Sequence, residues 1–195
     1  MPRIELPAPE QMTPQQRRVH DQIASGRRGK VQGPLRAALH NPDLAERWSA
    51  LGELLRYGTT LTPRQSELAI LVTGRACQSP FEWYAHRLEA EKIGIEATVI
   101  EALLAQREPE GLAVDDALVL RFARELNQHK SVTDATYAAA LARLGTRTVV
   151  ELTALVGYYT MVAMTLNAHE IPLPEGVEAA FELPQRSIAL QPKNP

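Results

Sequence analysis

Four prolines, each preceded by a helix-capping residue, determine where the first half of this chain can begin helices. A proline at the first helical position loses no hydrogen bond, and the side-chain oxygen of the residue before it accepts from a free backbone amide. The pattern therefore predicts four helix starts. The pairs are Thr13-Pro14, Asn41-Pro42, Thr62-Pro63 and Ser79-Pro80.

Glycines mark the ends of several predicted helices. Gly94 follows Lys92-Ile93 and Gly145 follows Leu144, and glycine readily adopts the left-handed conformation that ends a helix. No segment alternates apolar and polar residues clearly enough to predict a strand. The chain is therefore predicted to be all-α. The predicted helices cover residues 14–25, 34–40, 42–57, 63–76, 80–93, 96–106, 114–128, 133–144 and 147–169.

The length and the distribution of prolines predict one domain with two arms. A chain of 195 residues suits a single domain, here placed at residues 13–170. Prolines concentrate in residues 1–12 and 171–195, which we expect to form an N-terminal arm and a Pro-rich C-terminal arm. The second arm contains apolar residues such as Phe181 and Ile188, so we expect it to pack on its own core or on a neighbouring subunit.

Composition argues against several classes of protein. The formal net charge is −2 and the basic residues are scattered, which argues against nucleic-acid binding. Cys77 is the only cysteine, so an intrachain disulfide and a multi-cysteine metal site are excluded. The histidines lack metal-ligand spacing, and we expect neither a metal nor a cofactor. The basic loop Gly26–Gly33 is interpreted as a solvated connection, with neutralisation of an anionic ligand as the alternative.

Two segments bear on compartment and membrane. The N-terminus has no apolar core of signal-peptide length, so we expect the cytoplasm. Residues 149–168 contain a single charged residue, Glu151, over about one membrane thickness of helix. Polar residues such as Thr153 and Asn167 interrupt this segment. We interpret it as a central helix of an all-α core, or an oligomer interface, and not as a membrane span.

The pattern Glu-Leu-x-x-Leu-Val occurs twice. One copy covers residues 67–72 and the other covers residues 151–156. The repetition predicts an internal duplication of helices, and chance similarity between two buried helices is the alternative.

Three titratable residues are the candidates for chemistry. Glu67 heads an apolar segment, and Glu82 and His86 lie four residues apart, so that they share one face of a helix. Two packed helices would bring both carboxylates and the imidazole together in apolar surroundings. Burial raises the pKa of a carboxyl group and lowers that of histidine, while their pairing opposes both shifts. Such a set suits acid–base chemistry near neutral pH.

The same residues have structural interpretations. Glu67 could form a salt bridge with a core arginine. Ser79-x-x-Glu82 is a capping box, in which the glutamate bonds back to the cap residue. Glu82 and His86 are also spaced as an ordinary pair on a helix surface. Trp83 is either a core residue or the wall of a binding pocket.

A series of motifs extends along most of the chain. The motifs are Gly33-Pro-Leu, Asn41-Pro-Asp-Leu-Ala-Glu-Arg-Trp48, Leu61-Thr-Pro-Arg-x-x-Glu67-Leu-x-x-Leu, Glu82-Trp83-x-x-His86, Ile93-Gly-Ile, Asp115-Asp116, Val132-Thr-Asp134-x-Thr-Tyr137 and Glu151-Leu…Gly157-Tyr158. Together they resemble the carboxymuconolactone decarboxylase family from about residue 13 to about residue 170. The resemblance implies an all-α helical bundle of the alkylhydroperoxidase D-like type, assembled as trimers, hexamers or larger rings.

The resemblance also separates two branches of chemistry. The family contains the decarboxylase of aromatic-acid catabolism and thiol peroxidases with a Glu followed by Cys-x-x-Cys-x-x-x-His. Glu67 and His86 match that Glu and His, whereas Ser79 and Glu82 occupy the two cysteine positions. Cys77 lies outside the motif. The resemblance therefore implies the decarboxylase-like branch, with Glu67, Glu82 and His86 as its catalytic residues.

The expected function follows from this resemblance. We expect an enzyme of the carboxy-lyase type, a cofactor-free acid–base lyase or isomerase acting on a small carboxylic acid or lactone of aromatic-compound catabolism. Trp83 and Tyr158 are the expected substrate-binding residues. One alternative is an alkylhydroperoxidase-like, peroxiredoxin-type antioxidant protein in which Cys77 acts with an external thiol. The other is a non-catalytic helical oligomer. The expected partners are the small-molecule substrate and further copies of the chain, in a homo-oligomer that is a trimer or a hexamer.

Overall fold

Residues 2–27 and 29–183 are described by the computed structural model, and every regular element in them is helical. The prediction of an all-α fold is confirmed. A short 3₁₀ helix, Pro9–Gln11, precedes the α-helices. These are α1 (Pro14–Ser25), α2 (Pro34–Ala38), α3 (Pro42–Tyr57), α4 (Pro63–Ala76), α5 (Pro80–Lys92), α6 (Ala97–Leu104), α7 (Val114–His129) and α8 (Asp134–Ala168).

The four predicted proline starts all begin helices, but only three of the predicted caps form. The side chains of Thr13, Asn41 and Thr62 each accept a hydrogen bond from the backbone amide three residues later. Ser79 makes no such bond, and its Oγ is buried without a hydrogen-bond partner in the described part of the chain. The capping box considered for Ser79 and Glu82 is therefore not formed, and the Glu82 side chain is free to turn elsewhere.

The long C-terminal helix has a break where the sequence predicted one. Gly145 has φ 81° and ψ 162°, which is not helical, so α8 consists of two helical parts on either side of it. Only glycine adopts this backbone conformation without strain. Taken as a whole, α8 is long and apolar enough to cross a membrane by length and composition, yet half of its most apolar window is buried inside the fold. This burial agrees with the interpretation of a core helix.

Helix α4 lies at the centre of the bundle. Its residues Gln65–Gly74 are all buried, and it packs against α5, α6, α7 and α8. Burying a charged group without a partner costs far more free energy than a fold of this size can spare. Glu67, in the middle of this helix, therefore needs partners inside the protein.

Both ends of the described chain are attached to the bundle. The backbone amide of Arg3 donates to the carbonyl of His169 at 2.9 Å, and its guanidinium pairs with Glu170 at 2.7 Å. Ile171 and Phe181 in the C-terminal arm are partly buried against the core. Ile188, the other apolar residue named for this arm, lies outside the described residues.

Candidate active site

The site begins at the junction of α4 and α5. Gln78, with φ 52°, turns the chain after α4, and Pro80 then starts α5 back along it. Gly74 permits a close approach, since a Cβ there would lie 3.3 Å from Cγ of Glu82. Glu82 thus sits where the two helices are closest, and His86 follows one helical turn later.

The structure brings Glu67, Glu82 and His86 together. Nδ1 of His86 lies 2.7 Å from Oε2 of Glu67, and Nε2 lies 3.1 Å from Oε1 of Glu82. All three side chains are buried. The first contact is a hydrogen bond, whereas the second is close but poorly aligned, and Oε1 of Glu82 has no hydrogen-bond partner in the described part of the chain. The imidazole therefore lies between two carboxylates and is held more firmly by Glu67.

This arrangement keeps His86 protonated at neutral pH. Burial by itself lowers the pKa of His86, but the charges of Glu67 and Glu82 and the hydrogen bond to Glu67 raise it, and the net result is a pKa of about 9. An imidazolium carries a proton on each ring nitrogen, so it faces both carboxylates as a donor. The group can give a proton or stabilise negative charge, and it is a poor base.

Arg56 and Tyr159 complete the cluster, and the sequence analysis identified neither of them. Nη2 of Arg56 is 3.9 Å from Oε1 of Glu67, which supplies the core arginine that was considered as a partner of Glu67. The ring of Tyr159 packs edge-on against His86, with centroids 4.9 Å apart. Burial raises the pKa of Tyr159 well above its ordinary value. Arg56 lies on α3 and Tyr159 lies on α8, whereas the Glu-His motif lies on α4 and α5, and no local pattern marks either residue.

A cavity of about 310 Å³ opens beside this cluster. Glu82 and His86 line it, while Glu67 lies behind His86 and is not part of the lining. The wall combines basic side chains with apolar and aromatic ones. The lining residues are Arg27, Lys30, Gln32, Pro34, Leu35, Arg56, Tyr57, Phe81, Glu82, Ala85, His86, Leu88, Glu89, Lys92, Tyr158, Tyr159 and Val162.

The two expected substrate-binding residues lie in different places. Tyr158 lines the cavity, and its hydroxyl donates to the backbone carbonyl of Trp48 over 3.5 Å. Trp83 is 1 % exposed, packs edge-on against Phe181 and is not part of the cavity wall. Trp83 is thus a core residue in this structure.

Cys77 lies outside the cluster, at the end of α4. Its Sγ is 4.0 Å from Oδ1 of Asn127, and it does not line the cavity beside His86. Burial raises the pKa of the Cys77 thiol, which lowers the fraction of reactive thiolate. In the described residues there is also no group of three or more His, Cys, Asp and Glu side chains that could hold a metal ion.

Residues 42–125 match the sequence model of the carboxymuconolactone decarboxylase family. This segment belongs to the family, and it contains Glu67, Glu82 and His86 as well as Arg56. The resemblance identified from the motifs is confirmed. No curated protein matches the chain.

Solved structures share the fold at low sequence identity. An uncharacterized peroxidase-related protein from Silicibacter sp. TM1040 has a TM-score of 0.74 at 16% identity, with 88% of this chain and 91% of that chain covered. An alkylhydroperoxidase AhpD core protein from Ralstonia eutropha JMP134 has a TM-score of 0.73 at 16% identity, with 89% of this chain and 93% of that chain covered. A variant of the debrominase Bmp8 in complex with 2,3,4-tribromopyrrole has a TM-score of 0.65 at 16% identity, with 86% of this chain and 87% of that chain covered. These likenesses establish the alkylhydroperoxidase D-like fold.

Proposed function

Starting from the family membership of residues 42–125, we propose that the protein is a cofactor-free acid–base lyase of the decarboxylase type. Its substrate would be a small carboxylic acid or lactone formed in the breakdown of aromatic compounds. One observation carries the proposal: a buried imidazolium, held between two carboxylates, forms part of the wall of a cavity. Such a group is a proton donor protected from bulk water, which decarboxylation followed by protonation of carbon requires.

The charges around the cavity support an anionic substrate. The basic residues of its wall outnumber the acidic ones, although the whole chain carries a net charge of −2. The basic residues are Arg27, Lys30, Arg56 and Lys92, and the acidic ones are Glu82 and Glu89. Arg56 makes no hydrogen bond to another described residue, and its ion pair with Glu67 is long, at 3.9 Å. Its N–H donors are therefore available to an oxygen of a ligand.

The proposed reaction breaks one carbon–carbon bond and forms one carbon–hydrogen bond. The substrate carboxylate leaves as carbon dioxide, and the electron pair of the broken bond remains on the substrate as a dienolate. The charge on the dienolate oxygen would be stabilised by the Arg56 guanidinium. A proton then passes from Nε2 of His86 through Glu82 to the carbon, and His86 regains a proton from solvent.

The three predicted catalytic residues have different tasks in this proposal. His86 and Glu82 line the cavity and handle the proton. Glu67 accepts from Nδ1 of His86 and lies behind it, so it orients the ring and favours the charged form. Glu67 is therefore a positioning residue.

Release of carbon dioxide from a panel of muconolactones and β-keto acids tests the function. We expect the purified protein to act on at least one member of the panel, with His86→Asn inactive on the same compound. Glu151→Gln is the matched control, because Glu151 heads the second Glu-Leu-x-x-Leu-Val segment but lies away from the cavity. Turnover that is equal in folded His86→Asn and in the unsubstituted protein would overturn the proposal.

The thiol alternative has less support. Disulfide-based peroxide reduction needs a second thiol, and Cys77 is half-buried, with a raised thiol pKa and away from His86. We expect negligible peroxide turnover with dithiol reductants and full lyase activity in Cys77→Ala. Sustained peroxidase activity that disappears in Cys77→Ala would instead favour the antioxidant function.

We also propose that the chain assembles as a trimer or a hexamer. An exposed stripe runs along the second part of α8 through Val150, Ala154, Gly157, Met161 and Met164. Its spacing of four and three residues is typical of a seam between helices, and a side chain at Gly157 would meet nothing within 4 Å. Sedimentation at micromolar concentration is expected to show the oligomer, and a stable monomer of 21.6 kDa would contradict it.

A further inference from the structure

The hydroxyl of Tyr159 lies in the cavity wall beside His86, and the proposed proton transfer does not use it. The side chain is buried and lines the cavity next to His86. Its hydroxyl makes no hydrogen bond to another described residue. A buried phenol normally has a partner, so a donor that is open to the cavity suggests one supplied by a ligand.

The electrostatics around Tyr159 define what that ligand would be. Burial, together with the nearby charges of Glu82 and Glu67, opposes ionisation of the phenol, while Arg56 favours it; the net effect raises the pKa of Tyr159 well above its usual value. The phenol therefore keeps its proton and acts as a hydrogen-bond donor. Arg56, which also lines the cavity, contributes guanidinium donors and a positive charge close to the same phenol.

We propose that Tyr159 and Arg56 together form an oxyanion site, and that its ligands are planar conjugated oxyanions such as enolates and phenolates. A neutral donor and a fixed positive charge stabilise a delocalised oxyanion without the cost of reorganising water. The aromatic rings of Tyr57, Phe81 and Tyr158 line the same cavity and supply a surface for a planar ring. This inference rests on the same cavity as the proposed function, but binding tests it without turnover.

The position of Tyr159 is held by packing that a phenylalanine would keep. Its ring packs edge-on against the rings of His86 and Tyr158, with centroid separations of 4.9 Å and 5.2 Å. Tyr159→Phe therefore removes the hydroxyl and leaves both ring contacts. Tyr84→Phe is the matched control, because it removes a tyrosine hydroxyl from α5 at a residue that does not line the cavity.

The experiment compares two ligands of nearly the same shape. 4-Nitrophenolate carries a delocalised oxyanion and reports its ionised state by its colour, whereas nitrobenzene has no oxyanion. In Tyr159→Phe we expect nitrophenolate to bind about tenfold or more weakly, as is usual for a lost hydrogen bond to a charged group, with nitrobenzene unchanged. Tyr84→Phe should bind both ligands like the unsubstituted protein. Arg56→Gln should also weaken the binding of nitrophenolate and leave the binding of nitrobenzene unchanged. This variant gives a second test if Tyr159→Phe does not fold.

Three results would overturn the inference. The first is equal nitrophenolate affinity in the unsubstituted protein and in Tyr159→Phe. The second is an equal loss of affinity for nitrophenolate and nitrobenzene in Tyr159→Phe, because altered packing would weaken both ligands alike. The third is no nitrophenolate binding by the folded, unsubstituted protein. An inactive enzyme that still discriminates between the two ligands would defeat the proposed function and leave the oxyanion site standing.

Discussion

The two Glu-Leu-x-x-Leu-Val segments each begin with a glutamate, and the structure places these two glutamates in different surroundings. Glu67 is buried on α4, with His86 at 2.7 Å and Arg56 at 3.9 Å. Glu151 is half-buried on α8 and accepts hydrogen bonds from the backbone amide and hydroxyl of Thr60, at 2.7 and 2.6 Å, and from Arg147 at 2.8 Å. These bonds outweigh the effect of burial, and the pKa of Glu151 is lowered.

The difference lies in the partners and not in the helices. The described partners of Glu151 are donors that keep their protons near neutral pH, so this carboxylate connects the α3–α4 loop to α8. The main partner of Glu67 is an imidazole that titrates and lines a cavity. One local pattern thus supports a structural contact at one site and acid–base chemistry at the other. Four measurements test this distinction.

The largest expected effect is on turnover. His86→Asn and Glu82→Gln keep the shape of the site but remove proton transfer, which typically contributes about 10²–10⁴-fold to rate. Because the two residues act in one step, the double variant should be little slower than the slower single variant. Initial rates of carbon dioxide release, on preparations checked by circular dichroism, measure this. Independent, multiplicative losses would show that the residues do not act as a unit.

The second effect is on stability. Glu67→Ala leaves the buried, positively charged His86 with one carboxylate fewer, and breaking a buried pair typically costs about 3–5 kcal/mol. Urea unfolding should show a lower midpoint with an unchanged m-value. Leu68→Ala is not a suitable control because it opens a cavity, so the comparison is with Glu151→Ala. An equal loss in the two variants would remove the distinction between the two glutamates.

The third effect is a dependence of stability on pH. The pKa of His86 is about 9 in the folded protein, above its ordinary value of 6.5. Its contribution to stability is therefore fully present below about pH 6.5 and is lost as the pH rises through about 9. In that window the free energy of unfolding should fall by at most about 1.4 kcal/mol per pH unit on account of this group. The fall of the free energy of unfolding with pH should be less steep in His86→Asn. An unchanged pH dependence in this variant would contradict the buried imidazolium.

The smallest effect concerns the structural glutamate. Glu151→Gln keeps the bonds from Thr60 but loses the charge that Arg147 pairs with, and this side chain is partly exposed to solvent. We expect the free energy of unfolding to fall by about 1 kcal/mol or less, as for other exposed ion pairs. Turnover per folded molecule should be unchanged. Thermal unfolding and the lyase assay on one preparation measure both. A large loss of turnover would place Glu151 in the catalytic machinery.

Much of the fold could be predicted because its signals are local. A proline after Thr13, Asn41 or Thr62 defines a helix start through the geometry of its own ring and of the preceding side chain. Gly145 interrupts α8 because its backbone conformation excludes other residues. The family resemblance added the order of the elements. Ser79 shows the limit of such local rules, since its hydroxyl is buried in the fold and does not cap α5.

The candidate site was predictable only in part. The spacing of Glu82 and His86 places them on one face of a helix whatever surrounds it, and the sequence by itself therefore determined that pair. Which helix faces that pair depends on how the bundle packs, and this tertiary packing brought Glu67, Arg56 and Tyr159 to the same imidazole. It also gave Glu67 and Glu151 different surroundings, because the partners that a carboxylate meets depend on the packing of distant segments, which an identical local sequence does not specify.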